Sequence, residues 1–394
     1  MNDNVIIFGA GSSYDAGIPL SLGFVDKIME FAYKGKSEGG KLSDQDKIIF
    51  DEAMKVMSNL YNYHGSANFD DRNIEDILSI LSFNIIGKTP KEKDSLNWMT
   101  KAIASTIELT CNVKHNGSLD EPQINGNQIY RLFWNSIIER FKDSLNIPTI
   151  VTFNYDLVLE RALFQILINE TPVPDLFDGI ILKYYYKPPL DRLCYKIKKK
   201  VYYRVNASPT TGTELEICPE EDLKTPMVVE ILKLHGSLNF PEKMRGMNQV
   251  NRPPTNVVDN PFIIPPISNK SISNDAETIW KVALQRLRET KNIVVVGYSM
   301  PRTDIYVQYF LKTALGPKFD LNKIIVFNPD LYSHTDAKAE MIDRYNKCFS
   351  RQVMDRLITL NPPLIGQNPA YFNSYGKFEH FVNEIKFASN GLFY

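Results

Sequence analysis

At 394 residues, 43% hydrophobic and 23% charged, the chain has the size and composition of a globular protein with a sizeable buried core. Its formal net charge of −1 excludes a global electrostatic attraction to nucleic acid, membrane or an acidic substrate. Its most apolar stretch, Ile293 to Val296, is far shorter than the roughly 20 residues a bilayer helix needs, so no membrane span is expected.

The sequence opens Met-Asn-Asp-Asn and enters an apolar run at once, without the basic leader and cleavage site of a secretory signal. Cys111, Cys194, Cys218 and Cys348 lie far apart with no CxxC pair, which speaks against a zinc ribbon or a disulfide framework. The expectation is a cytoplasmic protein with reduced thiols and no metal.

Val5-Ile6-Ile7-Phe8 ends in Gly-Ala-Gly, the pattern of a buried parallel strand passing into a tight turn. From about Ser21 to Phe141 the pattern turns helical. Helices are predicted over Ser43 to Asn59, with Ser43 as cap, over Ile74 to Ile85 and over Ile129 to Phe141. A second buried strand, Thr149 to Phe153, precedes a helix from about Leu157 to Ile168. Residues 170 to 230 mix aromatics, prolines and the basic run Lys196 to Lys200; alternation of Tyr195, Ile197, Val201 and Tyr203 suggests hairpins.

A third strand, Val228 to Leu234, leads into His235-Gly236. Phe240 to Asn274 reads as an irregular loop carrying the apolar piece Phe262-Ile263-Ile264. A helix around Ala276 to Thr290 precedes the strand Ile293 to Val296, and a further helix precedes the strand Ile324 to Phe327. Strands alternating with helices imply an α/β fold: a doubly wound, mostly parallel Rossmann-like sheet with a large helical insertion. The expected organisation is one domain over residues 1–394, with the helical insertion at about 25–145 and a second insertion at about 170–230.

The first chemical signal is Gly9-Ala10-Gly11-Ser12-Ser13-Tyr14-Asp15-Ala16-Gly17-Ile18-Pro19. Glycines directly after a strand let backbone approach a phosphate, and a following helix N-terminus supplies N–H donors. The third glycine, Gly17, comes two places late for a dinucleotide fingerprint, so a plain strand-to-helix turn is the competing reading. Asn154 and Asp156 compete in the same way with a helix-capping role, and His235 with a structural histidine. His64, His115, His334 and His380 have no carboxylate or cysteine at ligand spacing, and Lys196 to Lys200 reads as a solvated hairpin face rather than a nucleic-acid contact.

The extended string Gly-Ala-Gly-x-Ser-x-x-x-Gly-Ile-Pro resembles the NAD-binding opening of the sirtuin family. Thr152-Phe153-Asn154-Tyr155-Asp156 resembles the sirtuin Thr-Gln-Asn-Ile-Asp segment, and Leu234-His235-Gly236-Ser237 the catalytic His-Gly. Gly297-Tyr298-Ser299 stands where sirtuins have a Gly-Thr-Ser phosphate contact, and Asn328 matches the asparagine that holds the adenosine ribose. The resemblance implies that Gly9, Ala10, Gly11, Ser13, Asp156, Gly297, Ser299 and Asn328 bind NAD, with Asp156 on the nicotinamide carboxamide. It makes Asn154 and His235 the catalytic pair. Both ends of the Asn154 amide can hydrogen-bond ribose hydroxyls or an attacking water, and a histidine with an ordinary pKa of about 6.5 suits a general base.

Departures from the deacylating sirtuins shape the expected reaction. Pro19 is followed by Leu20-Ser21-Leu22 instead of Asp-Phe-Arg, the zinc-binding CxxC pairs are missing, and Phe153 replaces the motif's glutamine. Losing the peptide-binding parts while retaining the NAD parts favours water as acceptor. Asn154 to Asp156, Lys233 to Gly236, Gly297 to Asp304 and the stretch Asn73-Ile74-Glu75-Asp76-Ile77 resemble the sirtuin-like NADases of bacterial anti-phage defence. That resemblance implies an NAD glycohydrolase, silent until activated by self-assembly into a homo-oligomer or by a partner such as a HerA-type ATPase or a short Argonaute. An NAD-dependent deacylase or ADP-ribosyltransferase, and an idle NAD- or ADP-ribose-binding scaffold, are the alternatives.

Overall fold

The apolar run after the amino terminus forms the central strand β1 (Asn4–Phe8), buried along its whole length. The computed structural model describes residues 3–37, 40–61, 70–84, 90–111, 113–115, 122–124, 129–144, 147–169, 176–202, 210–242, 254–264, 275–301, 304–316, 320–332, 336–349, 357–358, 376–387 and 392–393. His64, His334 and Tyr203 lie outside the described residues.

Numbering only the main-sheet strands, β1 is followed by β2 (Thr149–Thr152), β3 (Gly179–Lys183), β4 (Arg192–Tyr202), β5 (Thr210–Ile217), β6 (Pro226–Lys233), β7 (Asn292–Val296), β8 (Lys323–Phe327) and β9 (Leu357–Ile358). Their spatial order is β9-β8-β7-β1-β2-β6-β3-β4-β5. The sheet is parallel from β9 to β3, and β4 and β5 close one side as antiparallel strands. β1 lies at the switch of a doubly wound topology, since the chain continues to β2 on one side and places β7 on the other.

Ten α-helices accompany this sheet among the described residues: α1 (Phe24–Lys34), α2 (Asp44–Tyr61), α3 (Ile74–Asn84), α4 (Pro90–Thr110), α5 (Ile129–Phe141), α6 (Val158–Asn169), α7 (Glu277–Glu289), α8 (Ile305–Leu315), α9 (Asp336–Cys348) and α10 (Phe378–Phe387). Alternation along β1 shows how both faces are covered. Phe8 packs edge-on against Phe133 of α5 and Phe378 and Phe381 of α10. Its neighbour Ile7 lies with Leu311 and Leu315 of α8 and Tyr345 of α9.

α1 to α4 form a helical layer of their own, in which the Phe31 and Phe50 rings meet at a tilt of 47°, 5.4 Å apart. Ser43 caps α2 as its sequence predicts, accepting from the Asp46 amide at 3.1 Å. The stretch expected to hold only hairpins is more regular than that: Gly179–Lys183 joins the sheet as a parallel strand beside β6, and β4 and β5 pair over eight residue positions. Within this hairpin Lys198 is paired with Glu216, and Lys196 donates to the Asp222 carbonyl in the turn that follows, at 3.4 Å, so part of the basic run is engaged by its own hairpin and the segment after it. Cys194 and Cys218, distant in sequence, sit opposite one another, the Cys218 amide donating to the Cys194 carbonyl at 3.1 Å; both are free thiols. The predicted irregular loop contains a short strand, Pro261–Ile263, antiparallel to Gly236–Pro241. Among the described residues no helix is long and apolar enough to cross a membrane.

Candidate active site

The parallel strands end level. Phe8 pairs with Val296 on one side and Thr152 on the other, Thr152 pairs with Lys233, and Val296 with Phe327. The segments that leave β1, β2, β6, β7 and β8 therefore emerge at one edge of the sheet, where open α/β folds bind ligands. Gly9, Asn154, His235, Gly297 and Asn328 are the first or second residues beyond those strand ends.

The glycines are dictated by close approach of two loops. A Cβ on Gly9 would lie 2.6 Å from the Tyr298 Cα, and one on Gly11 2.9 Å from the Gly297 carbonyl oxygen. Gly297 has φ +66°, and its Cβ would stand 2.2 Å from the Ser12 amide nitrogen. The amides of Gly9, Gly11 and Ser12 are spent on the carbonyls of Val296, Gly297 and Gly9, at 3.0, 2.9 and 2.9 Å. The expected helix after the turn is a seven-residue 3-10 segment, Ala10–Ala16, closed by Gly17 at φ +86°. The turn thus presents fewer free N–H groups than an open phosphate-binding turn leading into a full α-helix.

Asn154 is half-buried, and its amide is oriented by that turn. Its Nδ2 donates to the Gly9 carbonyl at 2.9 Å, to Ser13 Oγ at 2.9 Å and to Ser12 Oγ at 3.1 Å. A backbone carbonyl only accepts, so the NH2 end must face inward. Among the described residues this leaves Oδ1 as the end available to a ligand. Ser13 in turn donates to Asp156 Oδ2 at 2.7 Å. Asp156 Oδ1 accepts from the Val158 amide at 3.1 Å, so this buried carboxylate does cap α6.

His235 is 4% exposed, its ring set among Phe153, Tyr155 and Trp280 at centroid distances of 5.2, 6.5 and 6.2 Å. The backbone around it is fixed from both sides. The Trp280 indole donates to the Leu234 carbonyl at 2.9 Å, and the Ile264 amide to the His235 carbonyl at 2.8 Å. Gly236 follows at φ +88°, where a Cβ would meet the Phe262 carbonyl oxygen at 2.1 Å. Tyr298 packs on Phe153 at 4.6 Å and donates to Asp304 Oδ2 at 3.1 Å. Asn328 Oδ1 accepts from the Asp330 amide at 3.0 Å, which leaves Nδ2 as its outward-facing group.

These groups surround one cavity of about 550 Å³, within the range of small-molecule and cofactor sites. Of the ten residues singled out in the sequence, Ala10, Gly11, Ser13, Asn154, Asp156, His235, Gly297, Ser299 and Asn328 line it; Gly9 packs behind. Sequence reasoning did not assign a site role to the helical layer, which contributes Phe24, Ile74, Glu75, Ile103 and Ile107 as a wall. Only Ile74 and Glu75 belong to a string that stood out; the others are ordinary apolar helix positions. Lys377 also lines the cavity, in company with the carboxylates of Asp15, Glu75, Asp156, Asp304 and Asp330. Burial pushes the Asp15 carboxyl above its usual range, and nearby Lys377 opposes that rise. Among the described residues no group of three or more His, Cys, Asp or Glu comes together as a metal site.

No family model matches this chain, and no curated protein matches it. Among solved structures it is similar to a Sir2 homologue in complex with NAD, at 15% identity over 89% of both chains, with a TM-score of 0.32. It is likewise similar to a mutant Sir2 homologue in complex with ADP-ribose, at 14% identity over 91% of this chain and 94% of that one, with a TM-score of 0.34. A third similar structure, of a Sir2 enzyme, is 12% identical over 88% of this chain and 92% of that one, with a TM-score of 0.31.

Proposed function

We propose that this chain is a cytoplasmic NAD glycohydrolase that cleaves the bond between nicotinamide and ribose. The observation that carries the reading is the convergence of Asn154, His235 and the two glycine turns on one cavity at the carboxyl edge of the sheet. The cavity fits a dinucleotide in size, and its free amide ends are suitably different: an acceptor at Asn154 and a donor at Asn328. Asn328 Nδ2 and Ser299 would hold the adenosine and phosphate portion, and Asp156 the carboxamide.

Cleavage proceeds as the bond from ribose C1′ to the ring nitrogen breaks and its electron pair leaves with neutral nicotinamide. C1′ then carries oxocarbenium character, stabilised by nearby oxygen dipoles. Water adds to C1′, oriented by Asn154 Oδ1, and its proton passes to the His235 imidazole. The balance is NAD plus water giving ADP-ribose, nicotinamide and a proton. The whole chain acts as one catalytic domain, with segments 25–145 and 170–230 as its elaborations.

The biological role within this reading is anti-phage defence by NAD depletion, with the enzyme silent until homo-oligomerisation or a HerA-type ATPase or short Argonaute partner activates it. What supports it is the set of strings that resemble such NADases. The test is incubation of purified protein with NAD, alone and with the products of neighbouring genes, followed by chromatography of nicotinamide. Release without any acylated peptide or acceptor protein is the expected result. Release that requires a peptide or acceptor would make the chain a transferase, and NAD binding without release under every condition would make it a scaffold.

A further inference from the structure

Lys233, the last residue of β6, is 1% exposed, and Glu160 on the first turn of α6 is 0% exposed. The Lys233 ammonium donates to the backbone carbonyl of Asp156 and stands 3.1 Å from Glu160 Oε1. The Tyr184 hydroxyl donates to the same Glu160 oxygen at 3.3 Å, and Asn239 Nδ2 donates to that hydroxyl at 3.3 Å. Dehydrating a charged pair is unfavourable enough that an apolar pair of similar volume would stabilise such a position as well. Stability alone therefore gives no account of these two residues.

Their place along the chain does. Lys233 lies two residues before His235, and its side chain ends on a carbonyl two residues after Asn154. A single ammonium thus ties the two loops that carry the candidate catalytic pair. A gap of about 10 Å³, the size of one water, lies behind those loops between the polar groups of Ser12, Ser13, Asn154, Asp156 and Lys233 and the apolar side chains of Phe8 and Phe378.

We infer that Lys233 is a positioning residue: held by Glu160, its ammonium fixes the Asp156 peptide and so sets the spacing between the Asn154 and His235 loops. The inference rests on the NAD-cleavage reading of the site. The test compares wild type, Lys233→Met and the double variant Lys233→Met/Glu160→Leu. Three quantities are read: melting temperature, steady-state nicotinamide release, and amide hydrogen exchange in residues 153–157 and 234–237.

Lys233→Met alone leaves a buried carboxylate unpaired and is expected to lower the melting temperature. The double variant should regain that temperature while kcat stays at least tenfold below wild type, KM stays within threefold, and exchange in both loops is at least tenfold faster. Recovery of wild-type kcat together with the melting temperature would overturn the inference. If wild type itself releases no nicotinamide, the function reading fails; the exchange data then decide this inference, and unchanged protection of both loops in the double variant rejects it.

Discussion

Ser13 Oγ stands 2.9 Å from Asn154 Nδ2 and 2.7 Å from Asp156 Oδ2, accepting from the amide and donating to the carboxylate. One hydroxyl therefore joins the glycine turn after β1 to the loop after β2. Asn154→Ala removes both the inward donor and the outward acceptor, and is expected to lower nicotinamide release by roughly 10²–10⁴-fold. Asn154→Asp keeps the shape but places a second acceptor against the Gly9 carbonyl, so it should be as inactive and also less stable. Ser13→Ala leaves Asn154 its other acceptors, and a loss of about tenfold is expected from the misplaced Asp156. The three variants are ranked by chromatographic assay of nicotinamide at saturating NAD. Wild-type release from Asn154→Ala would remove this residue from the chemistry.

His235 offers a sharper separation of binding from turnover. Its backbone is held by bonds from Ile264 and Trp280 that do not involve the imidazole. His235→Ala should therefore keep the loop in place and keep ADP-ribose affinity within a fewfold of wild type, while nicotinamide release falls by roughly 10²-fold or more. Trp280, 6.2 Å from the histidine ring, supplies a fluorescence signal for the binding half of the experiment. Equal losses of binding and release would assign the histidine to holding the ligand rather than to proton transfer.

How much of this was legible in the sequence follows from what each feature depends on. β1, β2, β7 and β8 announce themselves because strands buried on both faces are apolar along most of their length, as in Val5–Phe8 and Ile324–Phe327, and β6 does so through Val228, Val229, Ile231 and Leu232 in spite of Glu230 and Lys233. β3 carries an apolar core too, but its partner β6 lies far along the chain and its flanks are prolines and aromatics, so the local pattern reads as hairpin. β9 is two residues long and leaves no pattern at all. The site divides the same way. Asn154 and His235 are readable through the motif strings they stand in, Thr152 to Asp156 and Leu234 to Ser237; their place after an apolar strand alone reads as well as a helix cap and a structural histidine. The mutual closeness of Gly9 and Tyr298, or of Lys233 and Asp156, is a product of the parallel register and has no local sequence signal.

Two glycines with similar φ test whether the loop contact matters more than conformation. Gly35 ends α1 at φ +59° with nothing within 4 Å of an added Cβ, whereas Gly297 at φ +66° would drive its Cβ to 2.2 Å from the Ser12 nitrogen. Gly35→Ala carries only the left-handed penalty of about 1–2 kcal/mol and should leave activity intact. Gly297→Ala adds a backbone collision that no side-chain rotation relieves, so the turn carrying Ser13 must move. Its expected signature is a larger fall in melting temperature, together with loss of ADP-ribose binding by calorimetry. Equal effects of the two substitutions would show that the contact between the loops is soft.

The pH dependence of stability should report on Glu230, which anchors α7 to β6. Arg286 grips both of its oxygens, at 2.8 and 2.9 Å, and Tyr185 and Thr149 donate to it at 2.7 and 2.9 Å. Burial raises this carboxyl, but the bonds from Arg286 and Tyr185 outweigh burial and hold it down from the usual 4.5 to about 2. A depressed carboxylate binds its proton more readily in the unfolded chain, so its contribution is complete above about pH 4.5 and is lost as pH falls towards 2. The size of that contribution is about 3 kcal/mol, since each pKa step corresponds to 1.36 kcal/mol. Glu230→Gln lacks the titration, whereas every other carboxylate titrates in both proteins. The difference in unfolding free energy between wild type and Glu230→Gln, from denaturant curves, should thus be large at pH 7 and shrink steadily below pH 4.5. A difference that stayed constant down to pH 3 would mean that the anchor acts through shape and neutral hydrogen bonds, and that its charge contributes nothing to the packing of α7 on the sheet.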